Sequence, residues 1–330
     1  MVPMAHIVAG FATSFSPQLH VPVEMWAAMG QRDSGARALL APDGANHTYA
    51  ELEAMAGPEV ALGLDPAEQA RRHEQCQQHL AELGRRIRAA RLDALIVFTD
   101  DEHRLFDDDH FPAVFCYTGE NVPYVPNPLT DNTPPPTRAA AWAYGREPQQ
   151  LPGAPELATH ILEALPAAGY DVSRSRGLKE GVGIGHHIGF VNTRLLEGQR
   201  VPLFPILFNA SFPPNVLTAG RFFGLGQAIG AAVTGYQADL RVGVLAVGGF
   251  THPVIDEALD RRLLRACQDR NQAELAALPE GNLRGGNGQG RVWIAVAGAV
   301  GDLKPTFGEY VPAYRSAGGT GCGMGFAAWA

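Results

Sequence analysis

Leu92-Asp93-Ala94-Leu95-Ile96-Val97-Phe98 is a short, almost unbroken apolar run that delivers the chain into Thr99-Asp100-Asp101-Glu102-His103. Apolar on both alternating faces and too short for a typical helix, it predicts a strand buried on both sides, as in the interior of a parallel sheet. Carboxylates and imidazoles therefore leave a strand end. Outward from this run the arrangement repeats. Upstream, Ala5 to Thr13 reads as a buried strand ending in Thr13-Ser14-Phe15-Ser16-Pro17, where proline removes a ladder donor. Downstream, Arg241 to Val247 reads as a strand ending at Gly248-Gly249-Phe250-Thr251-His252. Two further apolar runs, Ala113 to Tyr117 and Val201 to Phe208, are strand-like.

Helical patterns lie between these strands. Asp65-Pro66-Ala67-Glu68 supplies an N-cap and a proline at the first helical position of a helix to about Arg91. Others are expected around Glu156 to Ala168, Thr218 to Val233 and Ile255 to Ala277. The alternation predicts an α/β fold, one domain over residues 1–330 with a mostly parallel central sheet flanked by helices. Residues 20–64 and 120–150 read as loop-rich insertions, the proline-rich Pro123 to Pro136 as a candidate lid. In open sheets of this kind, ligands bind at the carboxyl ends of the strands.

The 330 residues are 46% hydrophobic and 18% charged, a globular composition, and 38 glycines with 25 prolines show no collagen-like period. A formal net charge of −8 disfavours nucleic acid and anionic membranes as partners, because phosphate wants a basic face. Cys76, Cys116, Cys267 and Cys322 are scattered and form no CxxC pair, which suits a reducing compartment. No window approaches the ~20 apolar residues that span a bilayer. A cytoplasmic protein is the expectation.

Asp100, Asp101, Glu102, His103, Asp107, Asp108, Asp109 and His110 repel one another unless a hard cation neutralises them or water solvates the loop. Gly185-His186-His187-Ile188-Gly189 sets two imidazoles among glycines. His186 suits acid–base work or substrate anchoring, and His187 suits a satisfied structural contact. His252, after a strand and a Gly-Gly turn, is the foremost catalytic candidate. Gly281 to Gly290 lacks the spacing of a phosphate loop, and no GxSxG elbow exists.

Six stretches together resemble the class III extradiol ring-cleavage dioxygenases, the superfamily of the protocatechuate 4,5-dioxygenase catalytic subunit and of gallate and 3-O-methylgallate dioxygenases. They are IVAGFATSFSPQL, ALIVFTDDEHRLF, IGHHIGFVNTRLL, FPPNVLTAGRFFGLGQAI, VLAVGGFTHPVIDEALDRRLL and VWIAVAGAVGDLKPTFGEYVPAYRSAGGTGCGMGFAAW. The resemblance implies Fe(II) held by two histidines and a glutamate. It maps those ligands onto Phe15, Glu102 (with His103 one residue out of register) and Gln289. All three positions are changed. It maps a substrate-touching histidine onto His186 and an acid–base histidine onto His252, and it implies a homodimer.

Three readings follow. The first is a cofactor-free enzyme using His252 and His186 for acid–base chemistry on a phenolic or related ring, by decarboxylation, C–C hydrolysis or tautomerisation. Phe15, Glu102, His103, His187 and Gln289 would then line the small aromatic or phenolic-acid substrate. The second is an Fe(II) dioxygenase with a rewired site drawing on Glu102, His103 or His110. The third is a non-catalytic subunit partnering an intact homologue.

Overall fold

In the computed structural model, which describes residues 3–330, eight strands form one sheet. In chain order they are β1 (His6–Thr13), β2 (Ala94–Asp100), β3 (Val114–Tyr117), β4 (Ser173–Ser175), β5 (Leu203–Phe208), β6 (Arg241–Val247), β7 (Pro305–Tyr314) and β8 (Gly321–Trp329). Their spatial order is β7-β8-β1-β6-β2-β5-β3-β4. The four central strands run parallel, and β3, β7 and β8 add antiparallel pairings towards the edges. The expected α/β architecture with a mostly parallel sheet is what the chain adopts.

Every residue of β2 is buried, and its neighbours divide between two cores. Ile96 and Phe98 pack on one face with Phe222, Ile229 and Val292, whereas Leu95 and Val97 pack on the other with Leu80, Leu83 and Ile188. The first face is covered by α2 (Ala219–Gly235), α3 (Glu257–Gln268) and α4 (Arg291–Ala299), and the second by α1 (Pro66–Ala89) and the segment after His186. Asp65 caps α1 by accepting from the amides of Ala67 and Glu68, with Pro66 at the first position, as its sequence predicts.

The two insertions are more ordered than expected. Residues 20–64 hold the helices Trp26–Asp33, Tyr49–Met55 and Pro58–Gly63, the second with a capping box between Thr48 and Glu51. The 120–150 segment is pinned by a ribbon in which Asn121–Tyr124 pairs with Gln149–Pro152. The expected helix over 255–277 breaks at Arg270, whose φ is 51°, and Asn271 caps a new short helix. The β7–β8 hairpin was not anticipated, because β8 carries three glycines in nine residues and reads as neither period.

Register places the active edge. Thr13 pairs with Val247, Val247 with Thr99, and Asp100 with Phe208, so four parallel strands end in one row. The loops beginning at Ser14, Asp101, Asn209 and Gly248 therefore leave the sheet side by side. No helix among the described residues is long and apolar enough to cross a membrane.

Candidate functional site

The loop after β2 is built from its buried carboxylates. Asp100 accepts from the Ala210 amide (3.1 Å) and the Ser211 hydroxyl (2.6 Å), tying β2 to the loop after β5. Asp101 accepts from the amides of Arg104, Leu105 and Phe106 at 3.1 to 3.2 Å. That hydrogen bonding winds the chain tightly, and Glu102 and His103 take left-handed φ values of 51° and 54°. Strained backbone of this kind is tolerated where its surroundings over-determine it.

The turn sends Glu102 inward and His103 outward. His103 is exposed, stacks on Phe212 (centroids 4.0 Å apart) and sits 3.8 Å from Asp108. His110, with Asp107, Asp108 and Asp109, is solvent-exposed. Of the carboxylates and imidazoles in this run, the structure brings Glu102 alone to the centre, with Asp100 and Asp101 buried behind it as framework.

Glu102 meets residues from two distant segments. His186 Nε2 lies 3.5 Å from its Oε2, His187 Nε2 lies 3.9 Å from its Oε1, and the Gln289 amide nitrogen donates to Oε1. Side-chain exposure falls from 23% at Glu102 to 13% at His186 and 2% at His187, so the cluster opens at Glu102 and closes at His187. Phe15 walls it, with ring centroids 4.8 Å from His186, 4.3 Å from His187 and 5.5 Å from Tyr144. Ligand atoms of Glu102, His186 and His187 all lie within 4.8 Å of one another. His187 is not the satisfied structural histidine expected, because its buried Nε2 has no hydrogen-bond partner among the described residues.

Burial dominates the protonation states. It pushes the Glu102 carboxyl up to about 7, with the Asp100 carboxylate adding to the rise and the Gln289 amide opposing it. Burial holds His186 well below the usual imidazole value, helped by His187, and takes His187 down to about 3. At neutral pH the imidazoles are neutral and Glu102 is poised to exchange a proton.

His252 approaches from the loop after β6. Its Nδ1 lies 2.7 Å from the Phe250 carbonyl, so Nδ1 donates and Nε2 carries the free lone pair. The His252 amide donates to Asn287 Oδ1 (2.8 Å). Glycine is required around the ring, since a Cβ on Gly286 would come within 2.6 Å of Nε2. A Cβ on Gly249 would lie 3.0 Å from His252 Cε1 and 3.1 Å from Gln289 Oε1, so His252 adjoins the residue that holds Glu102. Behind it, Asp260 accepts from the Thr251 amide, the Thr251 hydroxyl and the Tyr310 hydroxyl, fixing the turn that carries His252.

A family model described as the catalytic LigB subunit of aromatic ring-opening dioxygenase matches residues 57–325. The chain belongs to this family. A comparison with curated proteins finds no match. In this LigB-type chain the resemblance places the Fe(II) ligands at Phe15, Glu102 and Gln289, and those residues do not fit the ion. Phe15 offers no donor atom. Both ends of the Gln289 amide are engaged, Oε1 accepting from the Gly249 amide (2.7 Å) and the nitrogen donating to Glu102.

Sequence reasoning missed Asp260, Tyr144 and His20. Asp260 sits in the motif THPVIDEALD, and a lone acid in the apolar stripe of an amphipathic helix was the available signal. Tyr144 and His20 carried none, since Tyr144 ends the short 3-10 helix Ala141–Tyr144 and His20 caps the 3-10 turn Pro17–Leu19, elements too short to show a period.

Proposed function

We propose that this member of the LigB family acts on a phenolic ring by general acid–base chemistry, with Glu102, His186 and His252 handling protons. The observation that carries the reading is the Glu102–His186 pair, 3.5 Å apart against the Phe15 ring, pinned by Gln289, onto which the sequence resemblance maps a metal ligand. His252 Nε2 takes the proton of a ring hydroxyl. Protonated Glu102 delivers a proton to the ring, and neutral His186 hydrogen-bonds a ring oxygen and holds it in register. Phe15 supplies the flat apolar surface on which the ring lies. This chemistry covers decarboxylation, hydrolytic C–C cleavage and tautomerisation, none of which consumes O₂.

A second reading has its own observation. Glu102, His186 and His187 present two imidazoles and one carboxylate, the donor set of mononuclear non-haem Fe(II) sites, and His187 Nε2 has no hydrogen-bond partner among the described residues. These residues, displaced from the family's ligand positions, would hold the ion, which would acidify a ring hydroxyl and admit O₂ chemistry. Elemental analysis of protein purified without chelator, with turnover of a hydroxybenzoate panel under anaerobic conditions with EDTA, separates the two. The acid–base reading expects no stoichiometric metal and turnover indifferent to both treatments. Near-full metal occupancy with O₂ consumption matched to substrate replaces it with the displaced-metal reading, and no turnover of any panel member overturns both.

A further inference from the structure

The glycine-rich run Gly281 to Gly290 lacks the spacing of a phosphate loop, yet its second half touches the loops after β2, β5 and β6 at once. Gly285–Gly290 winds into a 3-10 helix, entered through Gly285, whose φ of 56° is a left-handed value that favours glycine. The Gly285 amide donates to the Ser211 carbonyl (3.1 Å), and a Cβ on Gly288 would run into the Ala210 carbonyl, so the turn is seated on the loop after β5.

Two buried side chains reach from this turn to the proton-handling residues. Asn287 Oδ1 accepts from the His252 amide (2.8 Å) and its Nδ2 donates to the Asn282 carbonyl (3.0 Å), so the side chain is fixed at both ends. Two positions on, Gln289 accepts from the Gly249 amide (2.7 Å) and donates to Glu102. His252 and Glu102, far apart in the chain, are thus tied to one short piece of backbone. The same turn borders the reactive nitrogen. His252 Nδ1 is committed to the Phe250 carbonyl, and the bare Cα of Gly286 faces the other edge of the ring. A Cβ there would stand 2.6 Å from Nε2 and 2.8 Å from Cδ2, covering the lone pair.

We infer that Gly285–Gly290 is the positioning element of the reaction centre: Asn287 and Gln289 hold His252 and Glu102 at a fixed separation, and Gly286 keeps His252 Nε2 open to a substrate hydroxyl. The inference rests on the acid–base function proposed above and adds three positioning residues to it. Such an element acts on rate more than on affinity, because a reacting group misplaced by about 1 Å can cost about 10²-fold.

Carbethoxylation of the intact protein by diethyl pyrocarbonate, followed at the His252 peptide by mass spectrometry, tests the open nitrogen without any substrate. The parent should be modified at His252 and Gly286→Ala protected, whereas Gly281→Ala, where a Cβ meets nothing within 4 Å, should react as the parent does. An unmodified His252 in the folded parent, or equal modification in folded Gly286→Ala, overturns the inference. Kinetics on a hydroxybenzoate that the parent turns over test the two arms, and keep the test standing should Gly286→Ala fail to fold. Asn287→Ala and Gln289→Met should each lower kcat by about 10- to 100-fold with KM little changed. The double variant should fall no further than the worse single one, since residues that act as a unit are not additive. Asn287→Asp, which keeps the acceptor, should recover most of the loss. Additive losses, or losses confined to KM, mark two independent structural contacts and overturn the shared positioning role. Failure of the parent to turn over any hydroxybenzoate overturns the acid–base function, and the carbethoxylation result then decides the inference alone.

Discussion

Glu102 and His252 carry opposite demands on protonation, and their surroundings set both. Glu102 must hold a proton to deliver it, and burial lifts its carboxyl to about 7. His252 must be neutral to accept one, and burial lowers its imidazole below the ordinary value. The rate should therefore fall as pH rises through about 7 and fall again as pH drops through the lowered value of His252. In a kcat/KM profile, Glu102→Gln should abolish the alkaline limb, and His252→Ala should cost about 10²- to 10⁴-fold at the optimum. An alkaline limb that survives Glu102→Gln assigns that limb to another group. His252, His186 and Glu102 were legible as single residues because each stands beside a motif. That Glu102 meets His186 and His187 was not, because 84 positions separate Glu102 from His186 and nothing local encodes their approach.

The turn after β2 is the element on which the site depends. Its left-handed pair, Glu102 and His103, is held by one carboxylate, that of Asp101, accepting from three successive amides. Asp101→Ala should leave those buried donors unmet, lowering thermal stability by about 1 to 3 kcal/mol in a denaturant titration. Activity should fall further than that loss explains, because Glu102 would swing out of reach of His186. Asp101→Asn, which keeps an acceptor, should retain more of both, and a fully active Asp101→Ala would show that the turn does not position Glu102. The strand itself was readable from Leu92 to Phe98, since a doubly buried strand advertises itself by continuous apolarity. The glycine-rich β8 gave no comparable signal. It is a strand because β1 and β7 flank it, not because its residues favour one.

At the scale of the molecule, two buried carboxyls couple stability to pH. Asp260, behind the His252 turn, is pushed up to about 7 by burial, as Glu102 is. Both carboxyls hold protons in the folded state that they release in the unfolded state, where their ordinary values lie near 4. The folded state thus binds more protons between about pH 4 and 7, and this contribution to stability is full at the acid end and lost as pH rises through 7. Asp260→Asn removes one such group. Its melting temperature relative to the parent should improve from pH 4.5 to about 7 and level off above that, read by calorimetry from pH 4.5 to 8, and a constant offset would show that Asp260 does not change its protonation on folding.

Composition, the apolar runs and the helix start at Asp65-Pro66 sufficed to determine an α/β fold with a parallel centre, because burial on both faces and capping are properties of adjacent residues. The motifs at three strand ends likewise announced one functional edge. Only the tertiary structure decided what that edge contains. It closed Gln289 onto Glu102, turned His103 out to Phe212, buried His187 Nε2 without a hydrogen-bond partner among the described residues and drew Tyr144 and His20 into the wall. Those outcomes follow from strand register and from which loops share a row, relations between segments tens to hundreds of residues apart that no local pattern can carry.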